Sequence, residues 1–288
     1  MVPFMMNTDS KKNAFNKATK TYDDAAVLAK AVARQLVGRL QYMAISPETI
    51  LDVGAGSGFV AQALQSTEFS TAYMIQVDCA LNMLQQSRRK INHPENSIYL
   101  CADTQQLPLK NHSIDLLVSN LCLPFVDNLS AVLDEWQRVL KPGGLCFFTT
   151  LGPDTLKELK QAFAAVSPYV HVQNFLDMHD VGDALLEAKF AEPVMDVDVM
   201  MMAYEDVDDL LLDLKHQGVV NTSQQRSRGL LTRGFLGRVK QQYPSIDNHF
   251  PATIEVIYGC AWATDVIPNK RVGNEVYVPF NIIRSRLG

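Results

Sequence analysis

The sequence predicts an α/β fold, a doubly wound and mostly parallel sheet with a helical insertion between its last two strands. Two observations carry the prediction. Ile50-Leu51-Asp52-Val53 is a short apolar run that leads into Gly54-Ala55-Gly56-Ser57-Gly58, and Phe59-Val60-Ala61 then opens a helix. Four successive apolar runs also end in a short polar side chain, at Asp52, Asp78, Asp103 and Asn120. One such residue is ordinarily a helix cap or a surface turn. Four in register mark the carboxyl edge of a parallel sheet, where ligands bind in this class of fold.

Each element follows in chain order. Residues 13–46 read as an N-terminal helix, with Val27, Leu28, Ala31, Val32, Gln35, Leu36 and Leu40 near helical spacing. The strand at 50–53 and the glycine turn come next, then a second strand, Ala72 to Val77, closing on Asp78. Leu81-Asn82-Met83-Leu84 starts a helix, Ser97 to Ala102 is the third strand, and Ile114 to Val118 the fourth. Arg138 to Gly144 reads as a turn and Leu145 to Thr150 as the fifth strand. Helices are expected from Pro153 through Val166 and from Asp177 to Lys189. Val194 to Tyr204 alternates acid and apolar residues, as a strand does, and Ala252 to Tyr258 is the last, antiparallel strand. The roughly fifty residues between them are too many for a bare loop, so that stretch is expected to be helical and to lie over the ligand-holding edge. The chain thus divides into 1–47, an N-terminal segment closing over the site; 48–150, the ligand-binding half; and 151–288, the rest of the sheet with the insertion at about 205–250.

Spacing decides the ligand class. A dinucleotide fingerprint places its third glycine three residues after the second, but here Phe59 stands at that position and Gly58 comes one residue too early. Acid-x-Gly-x-Gly-x-Gly instead resembles the first motif of class I S-adenosylmethionine (SAM) methyltransferases, with their seven-stranded Rossmann-like sheet. The resemblance makes Asp52, Gly54, Gly56 and Gly58 the cofactor loop, with a tight βα turn as the alternative reading. Asp78 lies about twenty residues beyond the glycines, where this fold puts the carboxylate that takes both ribose hydroxyls. Met83 is placed to lie on the adenine face, Asp103 to accept from the adenine amino group, and Asn120 at the end of the fourth strand.

Composition sets limits. The 288 residues are 47% hydrophobic and 20% charged with a net charge of −5, an ordinary globular balance that argues against nucleic acid as partner. The five cysteines (79, 101, 122, 146, 260) contain no C-x-x-C pair, so buried thiols in a reducing cytoplasm are expected, and no metal site. No run has the length of a membrane span, and Met1 to Lys12 lacks the apolar core of a signal peptide. A monomer is expected. In the insertion, Glu205, Asp206, Asp208, Asp209 and Asp213 precede a basic run of Arg226, Arg228, Arg233, Arg238 and Lys240. That run reads either as a solvated helix face or as a docking surface for an acidic partner.

Several stretches narrow the family. Phe15-Asn16-Lys17-Ala18 with Tyr22-Asp23, Phe148 to Leu159, Asp177 to Leu185, Leu212-Asp213-Leu214-Lys215, Arg228-Gly229-Leu230 and Tyr258-Gly259-Cys260-Ala261-Trp262 resemble the malonyl-acyl-carrier-protein O-methyltransferases of biotin synthesis, over nearly the full length. The resemblance implies methylation of the free carboxylate of a malonyl thioester carried on acyl carrier protein. It gives Tyr22 the role of closing over the cofactor and orienting the acceptor, against the alternative of packing a helix start. His179, within Asp-Met-His-Asp, is a base or, better, a helix cap. A malonyl carboxylate is ionised at neutral pH, since ordinary carboxyls titrate at about 3.3–4.3, and it needs no general base. Alignment and desolvation are then the levers, and an arginine such as Arg226, Arg228 or Arg233 is expected to position the carboxylate or the carrier.

Two departures stand out. Pro124-Phe125 replaces a Gln-Trp pair common in the family, and Cys260 replaces a histidine. Phe125 keeps an aromatic wall for the substrate but loses an indole donor. A relative that methylates a protein arginine in complex I assembly, and a non-catalytic SAM-binding partner protein, are the competing readings.

Overall fold

The computed structural model describes residues 8–91, 96–219, 232–265, 270–272 and 275–277. Its frame is a seven-stranded sheet of β1 (Thr49–Val53), β2 (Tyr73–Asp78), β3 (Ser97–Cys101), β4 (Ile114–Asn120), β5 (Leu140–Leu151), β6 (Phe190–Tyr204) and β7 (Phe250–Ala263), in the order β3-β2-β1-β4-β5-β7-β6. The first five strands pair in parallel, and β7 runs antiparallel to both β5 and β6. A separate hairpin pairs β8 (Lys270–Val272) with β9 (Glu275–Tyr277).

The strands in the middle are apolar on both faces because helices cover both. Ile50, Leu116, Leu145 and Phe147 pack on one side with α2 (Val27–Leu40), α3 (Phe59–Leu64) and α6 (Lys157–Ala164). Leu51, Leu117, Cys146 and Phe148 alternate to the other side, under α5 (Leu129–Val139) and α7 (Met178–Glu187). Phe148 explains a glycine of the Tyr-Gly-Cys-Ala-Trp stretch: a Cβ at Gly259 would stand 2.4 Å from its ring. α4 (Leu81–Lys90) covers β2 and β3.

Several boundaries differ from the sequence reading. The N-terminal helix is two, α1 (Thr8–Ala25) and α2, broken at Ala26, and the buried face of α2 is Ala29, Val32, Ala33, Leu36, Val37 and Leu40, with Val27 exposed. The turn expected at 138–144 is divided between the end of α5 and the start of β5, where it forms an irregularity in the β4–β5 register with Gly143 at φ 77°. α6 begins at Lys157 rather than Pro153, because Leu156 at φ 56° is left-handed and cannot extend a helix backwards. β6 and β7 also run longer than the alternation marks. The described part of the insertion holds two helices, α8 (Val207–His216) and α9 (Arg233–Gln242). On the outer strand β6, Asp196 and Asp198 are both paired with Arg39, whose guanidinium lies 3.9 Å above the Tyr258 ring. No described helix is long and apolar enough to cross a membrane.

Candidate active site

A deep cavity opens at the carboxyl ends of the parallel strands, and its floor is made by the glycine turn. Gly54 and Ala55 both donate to the Val77 carbonyl, at 2.8 and 3.0 Å, which ties the turn to β2. Gly54, Gly56 and Gly58 all have positive φ, at 70°, 53° and 87°, and their jobs differ. A Cβ on Gly54 would lie 2.5 Å from Cys122 Sγ, and one on Gly58 2.1 Å from Ser87 Oγ, so both allow close packing. A Cβ on Gly56 would meet only Tyr22 Oη at 3.9 Å and the Gly54 carbonyl at 4.0 Å. It would fill the cavity itself, and a bare backbone there leaves a shelf for a flat group.

Asp78 fixes the shelf. One carboxylate oxygen accepts from Gly56 N–H at 2.9 Å and the other from Ala80 N–H at 2.7 Å, leaving each a further acceptor position. Burial raises its carboxyl above the usual range, partly countered by those two amides. Met83 and Asp103 line the same end, with Asp103 accepting from Gln105 N–H at 2.9 Å. Asn120 lines it too, but its side chain is engaged: Nδ2 donates to the Ala29 carbonyl at 2.9 Å, and Oδ1 accepts from Thr149 Oγ1 at 2.9 Å. It thereby staples α2 to the end of β4.

Two expected cofactor contacts are not on the wall. Asp52 is wholly buried, does not line the cavity, and neither oxygen has a hydrogen-bond partner among the described residues. Burial, with the charge of Asp78 second, pushes its carboxyl up to about 8. Gly58 is likewise absent from the lining and serves the contact of the turn with Ser87 on α4.

α1 forms the roof. Phe15 and Tyr22 face the cavity from this helix; Tyr22 stacks on Phe59 with centroids 6.0 Å apart, and Phe15 meets Phe125 edge-on at 5.1 Å. Burial, then the nearby Asp78 and Asp23 carboxylates, raise the Tyr22 phenol, so it stays protonated at neutral pH. The rim of the roof is polar. Asn82 N–H donates to Asn16 Oδ1 at 3.0 Å, Thr21 to the His216 carbonyl at 3.1 Å, and Asp23 holds Lys90 at 2.5 Å.

The other end of the cavity is walled by segments remote in sequence, including Leu151, Thr155, Leu156, Gln173, Phe175, Leu214 and Ile254. Leu121 and Leu156, both on this wall, are left-handed at φ 52° and 56°, a strain of about 1–2 kcal/mol each. Leu156 is held there by its N–H to the Thr253 carbonyl at 2.7 Å. Phe125 belongs to this end, in a short 3-10 turn at Leu123–Phe125. None of these positions except Phe125 stands out from sequence spacing, although 151–156 lies within a stretch that carries the family resemblance. Lys11 and Asp127, also lining, carry no motif at all.

The remaining candidates fall elsewhere. His179 is exposed and does not cap a helix: the cap of α7 is Asp177, whose carboxylate accepts from His179 N–H at 2.8 Å in the first turn. Arg233 opens α9 on the exposed surface and does not line the cavity. Arg226 and Arg228 lie outside the described residues. Lys240 is paired with Asp206 and Asp208, so part of the insertion's opposite charge is satisfied internally. Cys260 is buried in β7 beside Phe147 and Val194, away from the cavity wall. The cavity thiols are poor nucleophiles: burial, with Asp78 and Asp103 adding, pushes Cys79 up to about 12, and burial raises Cys122 as well.

Residues 51–148 match the family described as Methyltransferase domain. The chain is 40% identical over 270 residues to a malonyl-[acyl-carrier protein] O-methyltransferase of Gallionella capsiferriformans, covering 91% of this chain and 93% of that one. It is 36% identical over 287 residues to malonyl-[acyl-carrier protein] O-methyltransferase 1 of Coxiella burnetii, covering 98% of both. The chain belongs to the malonyl-[acyl-carrier protein] O-methyltransferase family. It is an enzyme of the SAM-dependent methyltransferase class, with SAM as cofactor. Solved structures share the fold alone. The YcgJ protein of Bacillus subtilis superposes with a TM-score of 0.57 at 13% identity, over 81% of this chain and 99% of that one. A Haemonchus contortus N-methyltransferase bound to S-adenosylhomocysteine superposes with a TM-score of 0.50 at 18% identity, over 80% and 52%. The wall described above suits such a cofactor: a glycine shelf that a Cβ would fill, and a fixed carboxylate with acceptor capacity to spare.

Proposed function

We propose that this chain methylates the free carboxylate of malonyl-acyl carrier protein, an early step of biotin synthesis, as a cytoplasmic monomer. One observation favours a carboxylate acceptor. No histidine lines the cavity among the described residues, its Tyr22, Cys79 and Cys122 are all held protonated, and its carboxylates are engaged, Asp78 by the Gly56 and Ala80 amides, Asp103 by Gln105 N–H and Asp127 by Lys11. An amine or guanidinium acceptor would have to lose a proton there, whereas a carboxylate does not.

Asp78 takes the ribose hydroxyls, Met83 lies on the adenine, Asp103 accepts from its amino group, and the Gly54–Gly56 backbone carries the amino-acid end beside Asn120. When bound, SAM supplies a methyl group on a sulfonium, so the protein's share is binding, orientation and exclusion of water. Tyr22 and the rest of α1 close over that end and align the acceptor. Phe125 walls the acyl group. The insertion receives the acidic carrier through Arg226, Arg228 and Arg233. A second basic face, with Lys17, Lys20 and Arg89 along an open groove between α1 and α4, is the competing place for the carrier.

Incubation with methyl-labelled SAM and malonyl carrier protein tests the reading. A labelled, base-labile methyl ester on the carrier is expected. Label on protein arginine, or SAM binding without transfer to any acceptor, would replace it with one of the competing readings.

A further inference from the structure

A carboxylate substrate entering this cavity meets a wall whose described charged side chains are Asp78, Asp103 and Asp127 against a single cation, Lys11. Lys11 is in the first part of α1, and its side chain is only 7% exposed. Its ammonium donates to the Phe125 carbonyl at 2.9 Å and pairs with Asp127. A lysine has three N–H donors, so one remains. Lys11, Phe15 and Tyr22 are spaced by four and seven residues along the helix, which sets them on one face. The cation therefore belongs to the roof, across from the strand-end carboxylate Asp78.

We infer that Lys11 is the binding site for the substrate's free carboxylate, and that the Lys11–Asp127 pair selects a charged acyl group over a neutral one. The inference rests on the malonyl reading above and adds to it the residue that recognises the malonyl end. An ammonium that already shares its charge with Asp127 holds a second carboxylate without a tight one-to-one clamp. One oxygen takes the third N–H, and the other keeps its lone pairs for the methyl group. The neutral ester made by the reaction has lost the charge that Lys11 recognises, which favours release of product. The edge-on Phe15–Phe125 pair beside the ammonium keeps the local environment apolar and strengthens the contact.

The test compares two dissociation constants, measured by calorimetry on the full chain with no methyl donor present. The probes are S-malonyl-N-acetylcysteamine and its methyl ester. The unaltered protein is expected to prefer the charged thioester by about tenfold or more, the usual range for a hydrogen bond to a charged group. Lys11→Met should bring the ratio to about one, Lys11→Arg should largely keep it, and Asp127→Asn should widen it. A helix latch with no part in recognition would weaken both probes alike under Lys11→Met and leave the ratio unchanged, which overturns the inference. If Lys11→Met does not fold, Asp127→Asn decides, and an unchanged or narrowed ratio overturns it. A protein that methylates malonyl carrier protein yet binds both probes equally would remove Lys11 and leave the proposed activity standing. A protein that methylates no malonyl thioester would remove the activity first.

Discussion

The two ends of the cavity are built in different ways. The strand-end half is set by backbone: a glycine turn hydrogen-bonded to β2 and a carboxylate gripped by two amides. The other half is assembled from side chains that come from α1, the 123–127 turn, the 151–156 segment, α8 and β7. The first half follows from the strand-and-turn architecture, and the second from side chains of segments remote in sequence. A substitution in the first half should act on the cofactor, and one in the second on the acceptor.

Asp78→Ala should break the first half most severely. Loss of a charge-assisted acceptor weakens SAM binding by roughly ten- to a hundredfold, and the stranded amides of Gly56 and Ala80 add to the loss. Calorimetric titration with SAM measures it, and unchanged affinity would take Asp78 off the ribose. The glycines sharpen the contrast within that half. Gly58→Ala drives a Cβ into Ser87 and should lower stability by about 1–3 kcal/mol from overpacking, plus about 1–2 from the left-handed backbone. Gly56→Ala meets no such clash, so a thermal melt should move less while SAM affinity falls. Equal melting loss in the two variants would refute that division of labour.

Asp52 gives a pH signature. Its folded carboxyl keeps a proton up to about 8, whereas an unfolded chain releases it near 4. The native state therefore binds more protons between those values, and stability falls as pH rises through the window. Asp52→Asn should flatten the decline between pH 5 and pH 8 in melts of the two proteins. A parallel decline in the variant would assign the loss to another group.

The smallest effect is expected at the docking surface. Neutralising Arg226, Arg228 and Arg233 together should raise KM for malonyl carrier protein severalfold and leave a small malonyl thioester nearly unaffected, because rim charges act on encounter. If neutralising Lys17, Lys20 and Arg89 does this instead, the carrier sits on the α1–α4 groove.

The sequence was legible where structure repeats a rule. Strand ends, the glycine turn and the antiparallel last strand all follow from period and spacing, and Gly54, Gly56, Asp78, Met83, Asp103, Asn120, Phe125 and Tyr22 do meet at one cavity. Spacing could not separate Gly56 from Gly58, since both are glycines with positive φ and only the neighbour across the gap distinguishes them. Nor could it place Asp52 behind the wall, because inward and outward positions on a strand buried on both faces read alike. Lys11 was invisible for a plainer reason. A lysine near the start of a charged helix looks solvated until the fold brings Phe125 and Asp127 over it.

The break at Ala26 has a practical corollary. α2 is bound into the apolar layer and stapled through Asn120, whereas α1 is attached by two aromatic contacts, Tyr22 on Phe59 and Phe15 on Phe125, and by polar contacts around its rim that contribute little each. Resistance to heat is thus a property of the body, and recognition a property of the appendage. A damaged first helix would therefore cost recognition before it cost the body of the fold.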